Sequence, residues 1–307
     1  MNEARYREAE RRLWESKGVT PIERRLHLKR NDVDVRALEV GEGPPVLFVH
    51  GGNVSGSSWA ALVARLPGFR CILLDRPGCG LSEPLATTLN SDTLPSFAET
   101  LLPDVLDALE LDSAHLVATS FGAHLTLRGA AAHPQRIGRI VLFGWPFGAS
   151  SRLPLSMRIT GAPGVARLMA AMPVNERAVR MIYRSIGHGP TLKSGLLTAE
   201  DIGWYVSLLR DTDTLRNEVP PARFFFSPRH GLNPALVLSD DVLGRVSMPT
   251  QLIWGEGDPF GGPKVARAFV QRLPNARLEL LANAGHAPWL DELDRCVETT
   301  TVFLTER

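Results

Sequence analysis

A serine with a small residue two positions before it and another two positions after it is the first candidate for chemistry in this sequence. Ser120 follows the apolar stretch Leu116–Ala118 and is followed two residues later by Gly122. When a strand passes into a helix through a tight turn, small neighbours let the two backbones approach closely and the serine hydroxyl stands above the sheet. The usual motif has glycine at both small positions, so Ala118 is a departure. The pattern predicts Ser120 as a nucleophile.

A base and an orienting carboxylate are needed next, because a serine hydroxyl attacks poorly until its proton is removed. Asp258 lies in a turn directly after the apolar run Thr250–Trp254, and His286 lies in the next such loop, before the last predicted helix. Parallel strands bring their carboxyl ends to one edge of a sheet, where Ser120 and these two side chains can meet. Glu256 lies two residues before Asp258, so the residues alone leave a second candidate for the acid.

A third requirement is a pair of donors for the oxyanion that forms on the attacked carbonyl. His50, Gly51 and Gly52 follow another apolar run, and glycine lets a backbone N–H approach a substrate. We predict that the N–H groups of Gly52 and Phe121 form this oxyanion hole. His50 is predicted to hold the loop in place rather than to react. Two further residues are predicted as substrate contacts, and these are Asn53 and Trp145.

The elements that must position these residues alternate between strands and helices, which is typical of an α/β fold with a mostly parallel sheet and helices on both faces. Residues 3–16 are predicted as an N-terminal helix, and Glu23–Leu28 with Val33–Glu39 as an antiparallel hairpin. The further predicted strands are Val46–Val49, Cys71–Leu74, Ala114–Ala118, Ile140–Phe143, Thr250–Trp254 and Arg277–Leu281.

The alternation stops after Trp145 and resumes near Thr250. Residues 147–245 hold helical patches and loops rich in glycine and proline, so we predict an inserted helical lid there. The core domain is then predicted to comprise residues 1–146 and 246–307. Leucines, methionines and phenylalanines of the lid are expected to face the site, which favours an apolar acyl group.

Composition excludes several other classes of protein. Lys and Arg number 34 and Asp and Glu 33, so the net charge of +1 provides no field for a nucleic-acid backbone. Three scattered cysteines do not suit a disulfide framework or a metal site, and we expect free thiols in a reducing compartment. The first 18 residues are charged throughout, unlike a secretory signal, and no apolar run is long enough to span a bilayer. We expect a cytoplasmic protein without membrane or nucleic-acid partners that can form a homo-oligomer.

The motifs, taken together, resemble the lid-containing branch of the α/β-hydrolase superfamily. They are, in chain order, HGGN, DRPGCGLSE, ATSFGA, GEGDPF and GHAPWLDE. The resemblance covers nearly the whole chain from about residue 23. It implies an eight-stranded sheet with an inserted lid and places the family's acid at Asp258. Some relatives place their acid after the preceding strand, where this sequence has Trp145. Relatives that open epoxides or remove halide use an aspartate nucleophile, which Ser120 argues against.

The predicted reaction is hydrolysis of a small or medium, fairly apolar ester, thioester or lactone through an acyl-enzyme on Ser120. This chemistry requires no metal and no organic cofactor. Three alternatives use the same three residues: cleavage of a carbon–carbon bond in a diketone, amide cleavage as in an aminopeptidase, and acyl transfer. An alternative of another class is a non-catalytic ligand-binding protein on this fold.

Overall fold

An eight-stranded sheet forms the centre of the molecule in a computed structural model. The structure describes residues 1–306, except for the side chains of residues 166, 167 and 169. The strands are β1 (Ile22–Leu28), β2 (Val33–Val40), β3 (Pro45–Val49), β4 (Arg70–Leu74), β5 (Ala114–Thr119), β6 (Ile137–Phe143), β7 (Phe226–Ser227), β8 (Gly231–Leu232), β9 (Thr250–Gly255) and β10 (Ala276–Leu281). The order in the main sheet is β1-β2-β4-β3-β5-β6-β9-β10.

Six strands of the main sheet, from β4 to β10 in that order, run parallel, and β2 is antiparallel to both β1 and β4. The predicted hairpin and mostly parallel sheet are therefore confirmed. The parallel strands β3, β5, β6 and β9 all end at the same edge, because their registers pair residues in step. This edge carries the loops in which the predicted reactive residues lie.

Helices cover both faces of the sheet. They are α1 (Glu3–Ser16), α2 (Ala60–Val63), α3 (Leu94–Ala108), α4 (Ser120–Ala132), α5 (Leu155–Arg158), α6 (Val165–Ala171), α7 (Glu176–Ser185), α8 (Gly189–Ser194), α9 (Ala199–Asp211), α10 (Thr214–Glu218), α11 (Ala222–Phe225), α12 (Asp240–Gly244), α13 (Pro263–Val270) and α14 (Leu293–Thr305). None of the described helices combines the length and the apolar character needed to cross a membrane.

The core consists of two apolar layers, one on each face of the sheet. In β3, Leu47 and Val49 belong to the layer that includes α3, α4 and α13. Val46 and Phe48 alternate with them and belong to the layer that includes α1, α2 and α14. Because both faces are covered, the central parallel strands are mainly apolar, which explains why the sequence shows them as short continuous runs. The three cysteines are buried free thiols.

The chain between β6 and β9 adds eight helices and the two-residue strands β7 and β8, and none of its described residues joins the main sheet. Helices α7 and α9 contribute Tyr183 and Trp204 to the apolar layer that contains α1. Phe225 of α11 joins the opposite layer. The insertion therefore lies across the carboxyl edge of the sheet and packs on both layers. Its bounds at residues 147 and 245 stay a prediction.

Candidate active site

Ser120 lies at the junction of β5 and α4 in a strained backbone conformation. Its φ is +51°, in the left-handed region that costs a non-glycine residue about 1–3 kcal/mol. A Cβ at position 122 would lie 2.2 Å from the carbonyl oxygen of Val49, so only glycine fits there. Ala118 is fully buried within β5 and is accommodated. The backbone thus makes the tight strand-to-helix turn that the sequence predicts.

His286 and Asp258 form a hydrogen-bonded pair at the same edge of the sheet. The Nδ1 of His286 lies 2.8 Å from Oδ2 of Asp258, which is buried. Asp258 also accepts the N–H of Trp145 at 2.8 Å and the N–H of Phe260 at 2.9 Å. A carboxylate held by these donors accepts a hydrogen bond from the Nδ1–H of His286. The proton therefore stays on Nδ1, and Nε2 keeps its lone pair. Glu256, the alternative acid, is exposed to solvent.

The ring of His286 is also fixed from the side. The ring of Phe260 lies edge-on to it, with ring centroids 4.6 Å apart and an interplanar angle of 87°. Phe260 follows Asp258 in the same loop, so a single loop supplies both the carboxylate and the packing surface. The sequence analysis did not single out Phe260, although it lies within the GEGDPF motif.

The predicted oxyanion loop is held by a buried arginine. Arg76 donates from Nε to the carbonyl of His50 at 3.1 Å and from Nη2 to the carbonyl of Gly51 at 2.8 Å. Its guanidinium also lies 4.8 Å from the ring centroid of Phe121. Arg76 therefore contacts both segments whose N–H groups were predicted to form the hole.

Glu218, at the end of α10, connects the insertion to this loop. Its Oε2 accepts from Nη2 of Arg76 at 2.8 Å and from the N–H of Asn53 at 3.1 Å. The sequence analysis did not identify Glu218, because nothing in the local pattern of a five-residue helix marks the contact. The insertion is thus bonded directly to the residue that follows Gly52.

His50 holds the loop after β3 in place, as predicted. Its ring is fully buried, donates from Nδ1 to the carbonyl of Gly51 at 2.8 Å and accepts the N–H of Arg76 on Nε2 at 3.0 Å. Burial holds the pKa of His50 well below its usual value, so the ring stays neutral and can accept that bond. His50 thereby joins the loop after β3 to the loop after β4.

A cavity of about 220 Å³ opens above these residues, smaller than the roughly 300–1,000 Å³ of typical ligand pockets. Ser120, His286, Gly52 and Asn53 all line it. Its walls are mainly apolar, and the insertion supplies part of them, including Met157, Ile182, Ile186, Leu197 and Trp204. The described lining contains one carboxylate, Asp201, and no lysine or arginine. The phenylalanines of α11 were expected to face the site, but Phe225 is instead buried in the core.

Trp145 is not among the residues that line the cavity. Its indole is fully buried, and Nε1 donates to the carbonyl of Ala149 at 3.2 Å. The expected substrate contact is therefore corrected, because the side chain points into the core. Trp145 serves the site through its backbone N–H, which holds Asp258. Among the described residues, no group of three or more His, Cys, Asp and Glu side chains is arranged to hold a metal ion.

The family profile that matches this chain is described as the alpha/beta hydrolase family, and the match spans residues 46–299. The chain therefore belongs to the alpha/beta hydrolase family, in agreement with the resemblance in its motifs. The curated relatives described next are hydrolases, and the chain is a hydrolase of this family.

Two relatives and one solved structure illustrate the similarity. The chain is 29% identical, over 80% of its length and 81% of the relative's, to 2-hydroxy-6-oxononadienedioate/2-hydroxy-6-oxononatrienedioate hydrolase of Cupriavidus pinatubonensis. It is 26% identical, over 94% and 96% of the two chains, to 2-hydroxy-6-oxo-6-phenylhexa-2,4-dienoate hydrolase of Burkholderia cepacia. The crystal structure of naproxen esterase from Bacillus subtilis has a TM-score of 0.76 at 18% identity, covering 98% of each chain, which shows a shared fold.

Proposed function

We propose that this protein is a serine hydrolase in which Ser120 attacks a carbonyl carbon, His286 accepts the proton of Ser120, and Asp258 orients His286. The observation that carries the proposal is the 2.8 Å bond between Nδ1 of His286 and Asp258, in a cavity that His286 shares with Ser120. That bond leaves Nε2 as the basic atom of the imidazole. The N–H groups of Gly52 and Phe121 stabilise the oxyanion, and each such donor contributes about 2.7–4 kcal/mol in comparable enzymes.

For the bond that is broken, we propose a carbon–carbon bond beside a ketone. The support comes from relatives that are named as hydrolases of unsaturated 2-hydroxy-6-oxo acids. The carbon chain in these names contains no ester or amide, so hydrolysis has to break a carbon–carbon bond. This was an alternative in the sequence analysis, and the relatives favour it over a simple ester.

The chemistry of that cleavage uses the same residues as ester hydrolysis. In the keto form of such a substrate, Ser120 Oγ adds to C6 and the C5–C6 bond then breaks. The electron pair of that bond is delocalised from C5 onto the 2-oxo group, and the proton that His286 took from Ser120 ends on this oxygen, which gives a 2-hydroxydienoate. Water, activated by His286, then releases the C6 acid from Ser120. The net reaction adds one water, forms a carboxylic acid from C6 and leaves a 2-hydroxydienoate from C1–C5, whose C5 gained its second hydrogen when the substrate changed to the keto form.

A carboxylic ester is the second candidate, and one observation favours it. The substrates named for the relatives carry one or two carboxylates, whereas the described cavity lining offers the carboxylate of Asp201 and no lysine or arginine. Asp201 is itself paired with Lys17, whose Nζ lies 2.8 Å away. A small uncharged ester fits this lining without leaving a buried carboxylate unpaired.

Two substrates separate the candidates. Purified protein is given 2-hydroxy-6-oxo-6-phenylhexa-2,4-dienoate, with benzoate as the product measured, and p-nitrophenyl butyrate, with Ser120→Ala as the control on both. We expect kcat/KM for the dienoate to exceed that for the ester at least tenfold, and the Ser120→Ala variant to lose at least about 10³-fold on either. A preference for the ester replaces the carbon–carbon assignment by the second candidate. Full activity of Ser120→Ala contradicts the serine mechanism itself.

A further inference from the structure

A second buried histidine–aspartate pair lies beside the first. Nδ1 of His188 lies 2.8 Å from Oδ2 of Asp291, and His188 is fully buried. The hydroxyl of Thr191 also donates to this carboxylate. His188 comes from the insertion, directly before α8, and Asp291 follows the His286 loop. The two side-chain donors offset part of the desolvation cost of this buried carboxylate, and the carboxylate fixes the tautomer of the histidine.

The pair is bonded to the backbone on both sides of His286. Nε2 of His188 accepts the N–H of Ala287 at 3.2 Å. Oδ2 of Asp291 accepts the N–H of Gly285 at 2.8 Å. His188 and Asp291 thus occupy the donors that immediately precede and follow His286. Because Nε2 of His188 is buried and used in this bond, His188 cannot serve as a second general base for the cavity.

The segment that carries His188 packs directly on the loops of the site. The carbonyl of Ile186 accepts the N–H of His286 itself at 2.9 Å. Gly187 has a φ of +97°, and a Cβ there would lie 2.8 Å from the carbonyl oxygen of Gly257 and 2.9 Å from the Cα of Gly285. Residues 186–188 therefore contact both the loop of Asp258 and the loop of His286, with no room for a side chain between them.

We propose that His188 and Asp291 are positioning residues that hold the His286 loop, so that the insertion sets the location of the general base. The proposal rests on the assignment of His286 as the base. The three successive backbone N–H groups of residues 285, 286 and 287 all donate hydrogen bonds. Two of the acceptors belong to the insertion, and the third is Asp291, which is itself bonded to the insertion. A displacement of about 1 Å at a reacting group can cost about 10²-fold in rate, so the pair acts on kcat rather than on substrate binding.

The test compares two substitutions of His188, one that keeps a hydrogen-bond acceptor for the N–H of Ala287 and one that removes it. His188→Gln places an amide oxygen near the position of Nε2 and keeps an acceptor for Ala287, whereas His188→Leu fills similar space without one. His230→Leu, at an exposed histidine of the same insertion, is the matched control. The readouts are kcat and KM on the better substrate, the melting temperature, and the downfield NMR resonance of the His286 Nδ1 proton.

We expect His188→Leu to lower kcat about 10²-fold with KM within about threefold, and to shift or broaden the His286 proton resonance. His188→Gln should recover kcat to within about tenfold of the parent, and His230→Leu should match the parent. The proposal is overturned if folded His188→Leu keeps kcat within twofold, or if it loses activity with an unchanged His286 resonance and no recovery in His188→Gln.

A second variant decides the matter if His188→Leu does not fold. Asp291→Asn keeps the shape of the side chain and removes the charge that fixes the tautomer of His188. The same fall in kcat and change in the His286 resonance support the proposal, and parent-like values of both overturn it. Failure of the underlying function is distinguishable, because Ser120→Ala would then retain activity whatever the His188 variants do.

Discussion

At the scale of single residues, the environment of two carboxylates decides which one acts. Asp258 is buried and accepts three hydrogen bonds, from His286 and from two backbone N–H groups. Glu256 lies two residues away in the same loop and is exposed. A carboxylate in water cannot hold an imidazole in one tautomer, because water competes for both groups. The difference in burial therefore supports Asp258, and not Glu256, as the acid that we propose.

This contrast gives a matched pair of variants. We expect Asp258→Asn to lower kcat by about 10³–10⁴, as loss of an orienting carboxylate does in the serine protease that exemplifies this arrangement. Glu256→Gln is expected to stay within about twofold of the parent. Both are measured as initial rates on one substrate at one pH. Equal effects of the two changes, or a larger effect at Glu256, would show that Asp258 is not the orienting acid.

The residues of the site could be predicted to different degrees. Ser120, Asp258 and His286 lie in segments with strong local sequence patterns. In the structure, Asp258 and His286 are hydrogen-bonded, and Ser120 and His286 line the same cavity. Trp145 follows a strand at the same edge, but the direction of its side chain depends on the packing of the core, which a sequence pattern does not contain. His188 is separated by about a hundred residues from Ala287, its hydrogen-bond partner, so no local signal marks it.

At the scale of elements, α10 is joined at both ends to the loop after β4, and at its C-terminal end also to the predicted oxyanion loop. Thr214 accepts the N–H of Gly80 at 3.0 Å, and Asn217 donates to the carbonyl of Gly78 at the same distance. Glu218 then reaches Arg76 and Asn53. The short helix therefore fixes the orientation of the loop that carries Gly52.

Removing the charge of Glu218 tests this connection. We expect Glu218→Gln to lower kcat about tenfold with little change in KM, because Arg76 loses its charged partner and the loop of Gly52 is held less firmly. Glu176→Gln is the control, since Glu176 forms an exposed pair with Arg180 on another helix of the insertion. Steady-state kinetics of the two variants are compared at equal folded concentration. If both behave like the parent, α10 does not position the oxyanion loop.

The main-sheet elements could be predicted from the sequence to within about three residues at either end. Parallel strands are buried on both faces, so each appears as a continuous apolar run, and β3, β4 and β9 match their predicted spans closely. Helix α2 has only four residues and is preceded by a 3₁₀ turn over residues 56–59. Helices α8 and α10 have six and five residues, too few to show a helical period, and their contacts with the core were therefore not predictable.

At the scale of the whole molecule, burial of histidine links stability to pH. His124 lies within α4, fully buried, and burial lowers its pKa to about 3. The unfolded chain, with an ordinary histidine pKa near 6.5, binds a proton that the folded protein excludes between these two values. The unfolded state therefore takes up more protons as the pH falls below about 6.5, and the folded state loses stability on that side.

The contribution of this one group can be isolated. From pH 7 to pH 4.5 we expect the free energy of unfolding to fall by about 2–3 kcal/mol because of His124. His124→Leu is expected to be less stable at pH 7, since the carbonyl of Phe147 loses its donor, but to lose less stability on acidification. Urea unfolding at both pH values gives the two differences. An identical acid-induced loss in parent and variant would contradict the burial argument.

The central claim is that Ser120 is a nucleophile activated by His286, and covalent labelling tests it without knowledge of the substrate. The protein is incubated with a fluorophosphonate, and intact mass and peptide mapping report the adduct over time. The account predicts one adduct per chain on the peptide that contains Ser120, none on Ser120→Ala, and labelling slowed at least about 10²-fold in His286→Ala. Absence of labelling in the parent, or undiminished labelling of Ser120→Ala, would contradict it.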